Sequence, residues 1–193
     1  MCQELFIQTY NPLRSADFAL TQAINSSLEH NSTYTPNINP TLKNQFKNRW
    51  RAELTTIGNL FVQQRDINFY YEQVIRLKQT MNETFYNLLM HPDPRYEYGF
   101  RISHSQKSIS IYLKHLWCIG NQQGGEVFTG IPEPPCCPID GIMQKITRVH
   151  YNRRWTQMND LNEVSYVIDQ FQNLARRQNL TIAMWECQLF QNR

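Results

Sequence analysis

The residues of this chain best placed to do chemistry are a lysine and an aspartate, Lys107 and Asp140, each near the start of a helical pattern. A lysine amine attacks carbonyl-like carbons once it is neutral, and burial or a neighbouring cation lowers its pKa. Lys114 is the cation that the spacing offers. Ser103, Lys107, Ser110 and Lys114 follow one another at steps of four, three and four, so they share one helical stripe. Ile109, Tyr112, Leu113, Leu116 and Trp117 form a second stripe predicted to be core, which leaves the basic stripe facing solvent. Asp140 precedes the apolar pattern Ile142, Met143, Ile146 and reads as a helix N-cap. Cap hydrogen bonds and the helix dipole favour a negative charge there, which can stabilise a cation developing opposite it. The pair suits a reaction through a cationic intermediate. A surface lysine and an ordinary N-cap fit the same two residues.

Other chemistries have less to stand on. There is no phosphate-binding glycine loop, no H-E-x-x-H, no G-x-S-x-G and no zinc-spaced set of His and Cys. The five cysteines are odd in number and include no C-x-x-C, which argues against a disulfide framework and for a reducing compartment. A thiol enzyme using Cys136 or Cys137 with His104 or His115 is one alternative; small buried cysteines are the plainer account. No cofactor and no metal is expected. With no leader-like start and no bilayer-length apolar run, the expectation is a cytoplasmic protein. Nineteen Lys and Arg against sixteen Asp and Glu leave a net charge of only +3, so any polyanion site must come from clustering. Clusters do occur at 43–51, around Lys107 and Lys114, and at 145–154, where Lys145, Arg148, Arg153 and Arg154 lie.

The elements that must position these residues are helical throughout, and the fold class is all-α. With 193 residues and 41% hydrophobic content, the chain can bury one core, as a single domain with possible lobes at 1–100 and 101–193. Residues 1–14 read as an anchored terminal segment broken at Asn11-Pro12, followed by a helix over 16–29 started by Ser15. His30 to Pro40 is a loop. Helices are predicted over 41–63 and, capped by Asp66, over 67–90, the latter expected to be the longest and central. His91-Pro92-Asp93-Pro94 ends it, and the aromatic, basic segment 95–101 leads into a helix over 105–120. Beyond Asp140 a helix runs to about 150. Trp155 returns to the core, Asn159 or Asp160 caps a helix ending at Arg176-Arg177, and a short helix over 181–190 closes the chain.

A lysine-initiated amphipathic helix, a glycine-containing break and a hydrophobic-Pro-Ile-Asp opening the next helix resemble the catalytic core of the helix-hairpin-helix DNA glycosylase superfamily. Here these are Lys107 to Gly120 and Cys137-Pro138-Ile139-Asp140. Arg101-Ile102-Ser103-His104-Ser105-Gln106 stand where the superfamily's glycine-containing hairpin usually precedes the lysine, and this modified hairpin and the wide lysine-to-aspartate spacing are similar to those of some archaeal 8-oxoguanine glycosylases. The resemblance implies two closely packed helical lobes with a cleft between them, and excision of a damaged or otherwise modified base from double-stranded DNA. It implies Lys107 as nucleophile at the sugar C1′, Asp140 as stabiliser of the oxocarbenium ion, and a nucleoid-associated protein, expected to be monomeric. Ser103, His104, Arg101, Lys114, Arg148 and Arg153 become candidate DNA contacts. Tyr98 or Trp117, with Tyr96 and Phe100, become candidate stacking partners for an extruded base. The alternative is a non-catalytic nucleic-acid-binding or interaction protein on the same scaffold, in which Lys107 and Lys114 only hold phosphates.

Overall fold

A computed structural model describes residues 2–29, 33–34, 38–89, 99–120, 132–149 and 154–191. All secondary structure among them is helical: α1 Cys2–Tyr10, α2 Ala16–Leu28, α3 Pro40–Phe61, α4 Ile67–Thr84, α5 Tyr86–Leu89, α6 Ile102–Gly120, α7 Gly141–Thr147, a 3-10 turn Trp155–Gln157, α8 Leu161–Arg176 and α9 Ile182–Gln191. No described helix is long and apolar enough to cross a membrane.

The starts of these helices follow from local side chains. Ser15 accepts a hydrogen bond from the Phe18 N–H, Asn39 from Thr41, Asp66 from Phe69 and Asp140 from Ile142 and Met143. Asp160 and Glu163 form a reciprocal capping box at α8. Four boundaries differ from expectation, one of them at α7, which ends at Thr147 rather than near 150 because Arg148 takes a left-handed conformation. Residues 2–10 are a helix, held by packing against α6 and α9 rather than by periodicity of their own. The run from Ile67 breaks at Phe85, whose φ of −125° leaves the helical region, so α3 at 22 residues is longer than α4 at 18. Helix α6 begins at Ile102, more than a turn before Lys107.

The central element is α6, not α4: α1, α2, α3, α4, α8 and the 3-10 turn all pack on it. Its polar stripe is therefore buried rather than solvent-facing, with Ser103, Lys107, Ser110 and Lys114 as enclosed as Ile109 and Leu116. Small serines let neighbours approach, and their hydroxyls find partners. Ser108 accepts from the Trp50 indole N–H at 3.2 Å, and Ser110 meets the Tyr70 hydroxyl at 2.8 Å. Gly58 makes the α3–α6 approach possible, because a Cβ there would sit 2.9 Å from the Tyr112 ring. One hydrophobic core runs through residues of both halves of the chain.

Candidate active site

Lys107 and Asp140 line one cavity of about 430 Å³, within the usual range for ligand sites. Its apolar walls come from four places: Phe6 and Tyr10 of α1, Phe190 of α9, Ile111 of α6, and Trp155 of the 3-10 turn. Phe6, Tyr10 and Phe190 form a mutual aromatic cluster with ring centroids 5.1 to 6.2 Å apart. The polar edge is a stripe of α2, with Gln22, Ser26 and Glu29 at steps of four and three.

The register of the two chemical residues is set by Gln106. Its amide donates to the Cys137 carbonyl at 2.8 Å and accepts from the Ile139 N–H at 3.1 Å. Between them lies Pro138, which has no N–H, so one buried side chain satisfies both backbone groups flanking it. The clamp fixes the start of α7 against the second turn of α6, one residue from Lys107. Asp140 Oδ1 then accepts from Ile142 and Met143 at 2.9 and 2.8 Å, locking its carboxylate at the helix N-terminus.

Lys107 is only 5% exposed. Burial pulls its amine below the ordinary lysine range, while the charges of Asp140 and then Glu29 act in the opposite direction. Its Nζ lies over the Trp155 ring, 4.2 Å from the centroid. Lys114 is not the cation that tunes it. The Lys114 ammonium is bound to Glu186 of α9 at 2.7 Å and lies over the rings of Phe190 and Phe6. Its charge is neutralised within the fold.

Several residues expected at a DNA surface are structural. His104 is fully buried: its Nδ1 accepts from the Arg101 N–H at 2.9 Å, reaching back over the start of α6, and Nε2 faces the Thr33 hydroxyl at 2.9 Å. Ser103 is buried and Arg101 donates to the Thr156 carbonyl at 2.8 Å. Trp117 and Phe100 are buried in the core away from the cavity, so neither is available to stack on a base. Arg148 is exposed, in a left-handed conformation at the end of α7. Tyr96, Tyr98 and Arg153 lie outside the described residues. In the 43–51 cluster, Arg49 pairs with Glu53 and Arg51 with Asp17.

The thiol alternative does not survive the structure. All five cysteines are free and buried. Burial pushes the Cys136 thiol up to about 12 and Cys137 well above its ordinary value, so neither is a thiolate near neutrality. No group of three or more His, Cys, Asp or Glu among the described residues could hold a metal.

No sequence pattern marks Gln106, Glu29, Glu186 or the aromatic walls as site residues. Trp155 was expected only as core. An amide beside a lysine and a glutamate at a helix end carry no pattern, whereas Pro138, two residues before the capping Asp140, did mark that side of the site. The chain matches no family model, no curated protein and no solved structure.

Proposed function

We propose that this cavity is the active site of a DNA glycosylase-like enzyme that excises a damaged or otherwise modified base from double-stranded DNA. One observation carries the reading: a buried lysine whose charge is disfavoured by burial shares an aromatic-walled cavity with a carboxylate anchored at a helix N-terminus. An extruded base needs flat apolar faces, which the aromatic walls of the cavity supply. The Lys107 amine attacks C1′ as the C1′–N bond breaks, and the bond's electron pair leaves with the base. Asp140 stabilises the positive charge that develops on the sugar, an interaction stronger in the transition state than in the ground state. The resulting C1′ amine opens to an imine. Lys145 and Arg148 at the end of α7, and Arg154 before the 3-10 turn, are exposed and available to duplex phosphates. The non-catalytic alternative needs Lys107 and Lys114 at the surface to hold phosphates, and both are buried.

The test is a panel of duplexes carrying single oxidised or hypermodified bases, assayed for base release and for a borohydride-trapped protein–DNA adduct. The wild-type protein should form the adduct with at least one duplex. Lys107→Gln should abolish trapping while retaining DNA binding, and Asp140→Asn should slow base release by orders of magnitude. No release from any duplex would remove the enzymatic reading.

A further inference from the structure

Two carboxylates, not one, face Lys107 across the cavity, and they are held differently. Asp140 is fastened by two backbone N–H groups at the start of α7. Glu29 is the C-cap residue of α2, exposed at the cavity edge, where the macrodipole opposes negative charge. The Asp140 carboxylate is thus engaged by backbone donors, whereas Glu29 stands at a helix end, open to solvent, on the wall of the same cavity.

Resting on the base-excision reading above, the geometry points to Glu29 as the proton carrier of this site, taking a proton from the Lys107 ammonium through one bridging water, because the two stand beyond salt-bridge distance across the cavity, and delivering it to the departing base. The step balances. Lys107 must lose one proton before its nitrogen lone pair can bond to C1′, and the base leaves with the electron pair of the broken C1′–N bond and needs one proton. One carboxylate in the shared cavity serves both, returning to its ionised form when the base is released. Lys114 cannot serve, since its ammonium is held by Glu186 and its proton lies within that pair. His115, also on the cavity wall, is buried against Phe6 with its Nδ1 3.5 Å from the Asn11 amide, and burial pulls it down to about 3. Among the described residues, the carboxylates acting on Lys107 are Asp140, before α7, and Glu29, at the end of α2; the buried, neutral His104 of its own helix also lies within reach of its charge.

Removing the Glu29 charge has opposite effects on two reactions of the same lysine, which a merely structural role does not produce. Glu29→Gln withdraws a charge that favours the Lys107 ammonium. Capture of a small aromatic aldehyde, salicylaldehyde, read by borohydride reduction and mass spectrometry at Lys107, should therefore shift to lower pH and quicken at neutral pH. Base release from the duplex that the wild-type protein processes should slow by about 10²-fold or more, the usual size of a general acid–base contribution, with loss of one limb of its pH profile. Glu29→Asp should recover part of the rate. Base release by Glu29→Gln at the wild-type rate, or equal slowing of both reactions, overturns the proposal. A wild-type protein that releases no base overturns the base-excision reading itself, and with it the donor half; an unmoved aldehyde profile in Glu29→Gln overturns the acceptor half alone.

Discussion

Lys107 and Lys114 occupy the same stripe of the same helix, two turns apart, and are 5% and 4% exposed, yet the fold treats them in opposite ways. Lys114 meets Glu186, a fully buried carboxylate contributed by α9, and forms a closed ion pair between two phenylalanine rings. Lys107 has no such partner among the described residues; it has a tryptophan face, an open cavity and two carboxylates beyond salt-bridge distance. Burial alone therefore does not make a reactive lysine. A buried charge with a tight partner is a structural element, and one left with only distant compensation keeps a destabilised ammonium, the state from which a nucleophilic amine is most easily formed.

The contrast is broken most strongly at Glu186. Glu186→Gln leaves the Lys114 charge buried without its carboxylate and should cost about 3–5 kcal/mol, measured by denaturant unfolding. Lys114→Met should cost a similar amount by stranding Glu186. The double change Lys114→Met with Glu186→Leu should cost far less than the sum of the single losses, because both desolvated charges are gone. Lys107→Met, by comparison, should leave stability unchanged or improve it while ending covalent trapping. Equal destabilisation at Lys107 and Lys114 would erase the distinction.

The two buried histidines of α6 sharpen the same point through acid. His104 and His115 are held neutral by burial, each pulled down to about 3, with Arg101 and Lys107 near the first and Lys114 near the second adding to the effect. The unfolded chain takes up these protons near pH 6.5, while the folded chain does not until near 3. Stability is therefore complete above pH 6.5 and falls as pH drops toward 3, at about 1.4 kcal/mol per pH unit for each histidine. Protonated His104 could no longer accept from the Arg101 N–H. His104→Asn should remove its share of the slope in an acid unfolding series.

The smallest effect separates the two roles of Asp140. As a cap, its replacement by alanine should cost about 1 kcal/mol, whereas asparagine, which caps as well, should leave the midpoint of unfolding in place. Base release should slow by orders of magnitude in both variants. Retained release in Asp140→Asn would show that the cap, and not the charge, is what the reaction uses.

What the sequence determined by itself is what lies within reach of four residues along the chain. Apolar spacing located α2, α3, α4, α7, α8 and α9, and short polar side chains marked the starts of four of them at Ser15, Asp66, Asp140 and Asp160, because a cap and a helical stripe are local interactions. Lys107 and Asp140 were each legible for the same reason, one on a helical stripe and one as a cap, but only the family resemblance joined them across 33 positions, because no local interaction spans that distance. The tertiary structure alone decided that the basic stripe is interior, that Lys114 belongs to Glu186 seventy-two residues away, and that Gln106 ties the two chemical residues together. It alone also decided that Glu29, Trp155 and the α1 and α9 aromatics enclose the cavity. A helix surrounded by neighbours on every side has no solvent face for its polar spacing to report. Whether a buried amine is neutralised or left facing a cavity depends on which distant carboxylate the packing brings within hydrogen-bond reach.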